Sequence, residues 1–170
     1  MGKAAFSRQY AKSFIDALRP PAATYDEGVD LYLGSRQIRV RSFPGHTGGD
    51  SIVLIPDAKV VFAGDLFWRN MVPNMIDAST KSWIATLEAL ATSGDYVFVP
   101  GHGDLGTAQD VAAFREHLVT LQTLVSESRA QGKTGAPLAQ VVVRRWLEST
   151  DNGTASSTSP NQAFFRWTPS

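Results

Sequence analysis

Four short runs rich in β-branched and aromatic residues follow one another between residues 31 and 64 of the chain. They are Leu31–Leu33, Gln37–Phe43, Ser51–Ile55 and Val60–Ala63. Gly34 and Ser35 separate the first two runs, and the turn-forming residues Pro56–Lys59 separate the last two. Because short strands joined by tight turns pair with their neighbours, the pattern predicts an antiparallel meander over residues 31–64.

Apolar positions recur at helical spacing on both sides of this meander. We predict a first helix over Ser7–Leu18, which ends before two prolines. Further helices are predicted after the capping residue Ser79, from a Thr107/Asp110 capping box to about Gly132, and from Pro137 to about Leu147. A short buried strand, Tyr96–Val99, lies between the first two of these. Strands followed by alternating strand and helix predict an α/β (α+β) layer fold, with an antiparallel or mixed sheet and flanking helices.

The predicted domain spans residues 1–148, and a tail of different composition follows it. Residues 149–162 are rich in Ser, Thr, Asn and Gly, which is typical of loose segments. We therefore predict a flexible tail over residues 149–170. Phe164, Phe165 and Trp167 near its end are too apolar for a plain tail, so we expect this aromatic end to dock on another surface.

Composition removes several classes of function. The 170 residues carry 16 Lys plus Arg and 16 Asp plus Glu, so a net charge of zero gives no basic surface for nucleic acid. The absence of cysteine excludes disulfides, iron–sulfur clusters and thiol catalysis. No apolar run is long enough for a membrane helix, and residues 1–10 lack the apolar segment of a signal peptide. We therefore expect a cytoplasmic protein with no nucleic-acid or membrane partner.

Two of the three histidines lie in nearly the same local setting. His46 belongs to the run Pro44–Asp50 after one predicted strand, and His102 belongs to Pro100–Asp104 after another. A carboxylate, Asp65, follows a third apolar strand. Glycines beside all three permit turns and close approaches that other residues resist. Imidazoles and a carboxylate that meet at one sheet edge suit a divalent cation such as zinc; the alternative is that they are hydrogen-bonded turn residues and a strand-end acid.

The segments PGHTGGDSIVLIPDAKVVFAGDLF and VFVPGHGD, in this order, resemble the C-terminal half of the metallo-β-lactamase superfamily. The resemblance covers about residues 25–125 and implies half of an αβ/βα sandwich with two metal ions at one edge. His46 matches the histidine that binds the first metal ion, and His102 matches the histidine of the second. Asp65 matches the catalytic aspartate that bridges both ions. An aspartate at this position resembles the glyoxalase II and lactonase branches rather than the true β-lactamases.

The resemblance implies a metal-dependent hydrolase with a small-molecule substrate. In such an enzyme, metal-bound hydroxide attacks an ester, lactone, thioester, lactam or phosphoester. Zinc is the expected metal, as up to two divalent ions, and iron or manganese suits the same ligands. Asp50 and Asp104 are candidate acceptors for the imidazole N–H groups, with turn or helix-start acids as the alternative. Trp68 and Arg69 lie where the family places a substrate-facing loop, with ordinary loop packing or an interface as the alternative.

The family motif H-x-H-x-D-H, which supplies two ligands to each metal ion, has no counterpart before His46, the first histidine of the chain. The match therefore leaves each metal ion with at most two ligands, whereas a catalytic zinc usually has three from the protein. We interpret the sequence as the second half of the fold. The alternative function is a truncated, non-catalytic fold fragment or assembly module that needs a partner half.

A half-fold is expected to expose an apolar sheet face larger than monomers in water tolerate. The candidate residues for this face are Val40, Ile52, Leu54, Val61, Val97 and Val99. Three coverings are predicted: a homodimer, a complementary N-terminal half, or the chain's own N-terminal helix and aromatic end. In a homodimer, two copies of His46, Asp65 and His102 offer an average of three ligands to each of two metal ions.

Overall fold

The computed structural model of the protein describes Lys12, residues 16–19 and residues 21–151, except the side chains of residues 147 and 149–151. Its strands, in chain order, are β1 (Gly28–Leu33), β2 (Arg36–Ser42), β3 (Ser51–Ile55), β4 (Val60–Trp68) and β5 (Val97–His102). Its helices within residues 21–151 are α1 (Thr80–Ala91), α2 (Ala108–Ala130) and α3 (Gly135–Asp151). The strands form one sheet in the order β1-β2-β3-β4-β5.

The predicted antiparallel meander is confirmed. β1, β2, β3 and β4 each pair antiparallel with the next strand along the chain. The connection between β3 and β4 is a single 3₁₀ turn at Pro56–Ala58, and Lys59 follows it with a left-handed φ of 51°. Proline favours such a turn because its ring fixes φ near the helical value.

β4 extends past the end predicted for it at Ala63. It continues to Trp68 because residues 66–68 are apolar and fully or almost fully buried in the core. β5 returns parallel to β4 through α1, so the carboxyl ends of both strands lie at the same edge of the sheet. Asp65 therefore lies inside the last part of a strand, not beyond its exit.

The helices α1 and α2 contact β4, and α3 packs on α2. Their first turns are capped as predicted: Ser79 Oγ accepts from the Ser82 amide, and Thr107 and Asp110 form a reciprocal capping box. Trp83 of α1 is fully buried against the helix-covered face of the sheet. The other large, fully buried side chains of the core cluster are Val61, Leu66, Phe67, Leu87, Phe98, Val111 and Leu118.

Three of the residues that were predicted for the exposed sheet face lie instead on the face that the helices cover. Ile52, Leu54 and Val61 lie on this face, and Ile52 and Val61 belong to the buried core. The prediction was wrong for these three because side chains alternate across a strand, and a strand's register is needed to decide which alternate set meets the helices.

The opposite face of the sheet is apolar and carries no residue of the buried core of the described part. We call it the open sheet face, and its apolar residues are Val29, Leu31, Leu33, Ile38, Val40, Val53, Ile55, Val60, Phe62, Val97 and Val99. Phe62 in β4 is 46% exposed and Leu33 in β1 is 73% exposed. The expectation of an exposed apolar face is thus met, with Val40, Val97 and Val99 among its residues as predicted.

Several predictions fall at the ends of the chain. Of the predicted first helix, Lys12, Asp16 and Ala17 are helical, Leu18 at its predicted end is not, and the rest lies outside the described residues. Helix α3 continues to Asp151, past the end predicted for it at about Leu147. The predicted aromatic end at residues 164–167 lies outside the described residues. Within the described residues, no helix combines the length and the apolar character needed to cross a bilayer.

Candidate functional site

The structure brings His46, Asp65 and His102 together at one edge of the sheet. Asp65 Oδ2 lies 3.9 Å from His46 Nδ1, and Asp65 Oδ1 lies 3.4 Å from His102 Nε2. The side chain of His46 is 16% exposed, whereas those of Asp65 and His102 are 38% and 46% exposed. Each carboxylate oxygen therefore faces a different imidazole at a rim that solvent and small molecules reach.

Irregular pairing between β4 and β5 sets the position of Asp65. The ladder shifts register between Phe62 and Gly64 and again between Gly64 and Trp68, where Trp68 pairs with His102. Gly64 has a φ of 52°, a left-handed conformation that glycine adopts without steric cost. Bulges of this kind turn side chains away from the regular alternation. They direct the Asp65 side chain toward the edge where His102 ends β5.

Gly101 makes room for the Asp65 carboxylate. A Cβ atom at Gly101 would overlap Asp65 Oδ1, and it would lie 2.8 Å from the Gly64 carbonyl carbon and 2.9 Å from the Asp65 nitrogen. No side chain larger than hydrogen fits there without displacing the acid. The absence of a side chain at Gly101 therefore forms the cradle that holds Asp65 between the two imidazoles.

The turn that carries His46 is closed by its own hydrogen bonds. The Phe43 amide donates to the Asp50 carbonyl oxygen at 3.0 Å, and the Ser79 amide donates to the Gly45 carbonyl oxygen at 3.0 Å. The Asp50 carboxylate accepts from the Thr47 amide at 2.6 Å and from the Thr47 hydroxyl at 2.7 Å. Asp50 thus acts as the turn acid of the alternative interpretation, since both of its oxygens bind Thr47 and not an imidazole.

Two tryptophans lie against the histidine rings. The Trp68 ring is 3.9 Å from the His102 ring, centroid to centroid, at an interplanar angle of 32°, and 6.1 Å from the His46 ring. The Trp83 ring meets the His46 ring edge to face at 5.4 Å and 75°. Trp68 is 9% exposed and ends a strand. Trp68 therefore lies at the end of a strand that pairs with β5, and the predicted substrate contact of Trp68 stays a prediction.

Arg69 connects the end of β4 to the turn after β5. Its backbone amide donates to the His102 carbonyl oxygen at 3.0 Å, and its guanidinium donates to the Leu105 carbonyl oxygen and pairs with Asp110 Oδ1 at 3.2 Å. A Cβ atom at Gly103 would overlap the Arg69 carbonyl oxygen, so the two segments are in close contact. These contacts fix the backbone beside His102, and they are the packing role that the alternative interpretation gave to Arg69.

Asp110 has a pKa below its ordinary value of 3.8. Partial burial alone raises this pKa, but the hydrogen bonds from the amide and hydroxyl of Thr107, together with the Arg69 guanidinium, outweigh burial and lower it. The ionised carboxylate is therefore the form that caps α2 and holds Arg69.

The pKa of Asp110 is lower in the folded protein than in the unfolded chain, so its ionised carboxylate stabilises the fold at pH values above the unfolded-state pKa. This stabilisation is lost as the pH falls through the folded-state pKa. We expect the Asp110→Asn variant to be less stable than wild type above about pH 4 and to approach it below that pH. Urea unfolding between about pH 3 and pH 6 measures this difference. Asp104→Asn is the control, and an Asp110→Asn difference that stays constant with pH would contradict the expectation.

Asp104 is exposed in the turn between β5 and α2. Its carboxylate has no hydrogen bond or ion pair with the residues that the structure describes. The prediction that it accepts a hydrogen bond from an imidazole is therefore not met in this structure. The third histidine, His117, lies in α2 with its ring 6.3 Å from the Trp146 ring, and burial lowers its pKa.

The three site residues fit a divalent cation in ligand chemistry and, for one pair, in spacing. Zinc takes imidazole nitrogen and carboxylate oxygen at about 2.1 Å, so two ligands of one tetrahedral ion lie about 3.4 Å apart. The His102–Asp65 pair has this spacing at 3.4 Å, and the His46–Asp65 pair is wider at 3.9 Å. Within the described residues, no group of three or more His, Asp or Glu side chains has the arrangement to hold one ion. The structure therefore offers two pairs of ligands that share Asp65.

Sequence reasoning missed Trp83 and the roles of Gly101 and Trp68. Trp83 looked like an ordinary core position of α1, and nothing in its spacing shows that its edge meets His46. The signal for Gly101 was present in the repeated Pro-Gly-His pattern, which pointed to close backbone approach without naming the neighbour. The identity of that neighbour depends on the register between β4 and β5.

Comparison with known sequences finds one family and several partial relatives. A sequence model of the metallo-beta-lactamase superfamily matches residues 3–102, more than half of the chain. The chain is similar to hydroxyacylglutathione hydrolase from Brucella ovis, with 34% identity over 80 residues. That match covers 46% of this chain and 31% of the relative, so it spans about a third of the relative's length. The enzyme of the same name from Brucella abortus matches to the same extent.

Solved structures share the fold over most of the chain. A metallo-beta-lactamase from Pontibacter korlensis aligns with a TM-score of 0.56 and 24% identity, covering 69% of this chain and 62% of that one. A metallo-beta-lactamase family protein from Thermus thermophilus aligns with a TM-score of 0.52 and 20% identity, covering 72% of this chain and 48% of that one. These likenesses confirm the predicted fold class, a mixed sheet with flanking helices that forms part of the larger fold.

Proposed function

Since the chain belongs to the metallo-beta-lactamase superfamily, we propose that it is a metal-dependent hydrolase whose site is the rim formed by His46, Asp65 and His102. The observation that carries the proposal is the Asp65 carboxylate, which turns one oxygen toward each imidazole at 3.9 Å and 3.4 Å. A carboxylate between two imidazoles is the arrangement expected of a ligand shared by two cations.

Zinc is the first candidate cation, with iron and manganese next, because all three accept imidazole and carboxylate ligands. When bound, such a cation supplies Lewis acidity toward a carbonyl or phosphoryl oxygen and makes water a nucleophile near neutral pH. His46 and His102 would each hold a cation through a ring nitrogen. Asp65 would hold both cations in register through its two oxygens, and Gly101 would keep that carboxylate in place.

The substrate is proposed to be a small molecule with a hydrolysable acyl or phosphoryl bond. The name of the Brucella relative puts hydroxyacylglutathione first among the compounds to test. Esters, lactones, lactams and phosphoesters follow. The exposure of Asp65 and His102 supports this class, because both side chains are open to a ligand at the sheet edge.

The proposal is tested by measuring bound metal and hydrolysis together on the purified chain. Elemental analysis after dialysis against zinc, followed by assays on these compound classes, should show bound zinc and turnover that a chelator removes. Zinc-free protein that hydrolyses none of them would favour the second candidate function, a non-catalytic module of the same fold. The observation behind that second candidate is the lack, within the described residues, of a three-ligand group.

We propose a second copy of the chain as the partner that covers the open sheet face. The strands place one charged side chain on that face, Arg36 at the end of β2, and it is paired with Asp57 at 2.9 Å. Two copies can therefore meet across the face without burying unpaired charge, which is costly. Each copy also has ligand pairs that leave coordination positions open, and a second copy brings a second His46, Asp65 and His102.

The homodimer proposal predicts the mass of the protein in solution. Light scattering should give twice the chain mass of 18.4 kDa, and Phe62→Glu, on the open sheet face, should shift the mass to that of one chain. Leu105→Glu is the control because Leu105 is also exposed, at 59%, but lies in the turn after β5. A wild-type protein of monomer mass would contradict the proposal and favour a different covering.

A further inference from the structure

Within the described residues, Asp65 is the one hydrogen-bonding or ion-pairing partner of the two histidine rings of the rim. A metal-binding histidine generally donates its second ring N–H to a carboxylate or a backbone carbonyl, which fixes the ring. Apart from their contacts with Asp65, neither the His46 ring nor the His102 ring has a hydrogen bond or ion pair with the described residues. Within the described part of the chain, contacts other than hydrogen bonds therefore hold the rings toward Asp65.

The rings of two tryptophans contact the two imidazole rings. Trp68 stacks on His102, with ring centroids 3.9 Å apart, and its ring also lies 6.1 Å from His46. Trp83 meets His46 from the other direction, edge to face at 5.4 Å. The Trp83–His46 pair has the edge-to-face geometry that is favourable for aromatic groups, and the Trp68 and His102 rings are in direct contact at an interplanar angle of 32°.

Both indoles are themselves fixed to the strand that carries Asp65. Trp68 Nε1–H donates to the Asp65 carbonyl oxygen at 3.0 Å, and Trp83 Nε1–H donates to the Leu66 carbonyl oxygen at 2.8 Å. Trp68 and Trp83 are 9% and 0% exposed, so packing also restricts their rotamers. Two consecutive carbonyl groups of β4 therefore hold two rings, and those rings contact the two imidazoles that face Asp65.

We propose that Trp68 and Trp83 are positioning residues that orient His102 and His46 for metal binding, with Trp68 the one that contacts both. This inference rests on the proposed metal-dependent function, since the two imidazole rings are said to be oriented in order to bind a cation. It predicts that removing the Trp68 ring weakens metal binding although no ligand is lost.

The test compares zinc affinity in wild type, Trp68→Leu, Trp68→Phe and Trp146→Leu, by competition with a chromophoric chelator. Loss of a group that orients a ligand typically weakens metal affinity about 10- to 100-fold, so Trp68→Leu should show a loss of that order. Trp68→Phe keeps a ring against His102 but loses the N–H donor to Asp65, so its loss should be smaller. Trp146→Leu removes a tryptophan that contacts the third histidine, His117, and should bind zinc like wild type.

A spectroscopic measurement separates positioning from a general loss of stability. In metal-free wild type, the ring protons of His102 should be shifted upfield by the face of the Trp68 indole, and in Trp68→Phe they should remain partly shifted. If the His102 ring protons of folded wild type have unperturbed chemical shifts, the inference is overturned. This measurement needs only wild type, so it applies even if Trp68→Leu does not fold.

The outcomes distinguish this inference from the function it rests on. If wild type binds zinc, and Trp68→Leu and Trp68→Phe bind it with the same affinity, the positioning role alone is overturned. Wild type that binds no zinc overturns both the role and the proposed function. Weakened binding in the Trp68 variants with normal binding in Trp146→Leu supports both.

Discussion

Replacing Asp65 with asparagine is expected to abolish tight binding of divalent cations at both histidines and to lower hydrolysis by about 100-fold or more. One carboxylate serves both ligand pairs, with Oδ1 facing His102 and Oδ2 facing His46. Asparagine has nearly the same shape, but its amide is neutral and replaces one oxygen with an NH₂ group that cannot bind a cation. Zinc stoichiometry by elemental analysis and kcat/KM on the best substrate measure the two effects.

The controls for this variant separate the shared acid from a general effect of charge. Asp95→Asn removes an exposed carboxylate that pairs with Lys59, and exposed pairs contribute little. It should therefore keep wild-type zinc content and activity. His46→Ala and His102→Ala should each reduce the zinc content less than Asp65→Asn does. Equal zinc content in Asp65→Asn and wild type would contradict the shared role of Asp65.

Replacing Gly101 with alanine is expected to lower the free energy of unfolding by about 1–3 kcal/mol and to displace Asp65. The added Cβ would overlap Asp65 Oδ1 and would crowd the backbone of Gly64 and Asp65 at 2.8 Å and 2.9 Å. Backbone atoms in a bulged strand have little freedom to move away. We therefore expect the acid to shift, and zinc affinity to fall together with stability.

Gly49→Ala is the matched control for Gly101→Ala. Gly49 also lies in a glycine-rich turn beside a site histidine, but a Cβ atom there meets nothing within 4 Å. Its stability and zinc binding should equal those of wild type. Denaturant unfolding of the two variants gives the comparison, and a Gly101→Ala protein as stable as Gly49→Ala would show that the cradle is not tight.

The sequence was sufficient to predict the elements of the fold but not which face each residue takes. The meander and the helix caps at Ser79 and Thr107 follow from local patterns of turn and capping residues, and local patterns are visible in a sequence. Ile52 and Val61 were assigned to the wrong face because a strand apolar on both faces carries no alternation to read. The extension of β4 through Trp68 depends on packing against α1 and α2, which is a tertiary effect.

For the site, the sequence indicated which residues to consider and not what holds them. Asp65 and the two Pro-Gly-His turns stand out because glycine and a polar side chain follow an apolar strand at all three places. Asp50 was a candidate acceptor for an imidazole N–H, but it lies in the same turn as Thr47 and accepts hydrogen bonds from that residue instead. The contact of Trp83 with His46 joins residues far apart in the chain, and it depends on how α1 packs against the sheet.

The central claim is that His46, Asp65 and His102 hold divalent cations at one edge of the sheet. The most direct measurement is an anomalous difference map at the zinc absorption edge, from crystals of the wild-type chain grown with zinc. The account predicts peaks about 2.1 Å from the Asp65 oxygens and from a ring nitrogen of His46 or His102. A map with no peak at these three side chains, in any subunit or between subunits, would contradict it.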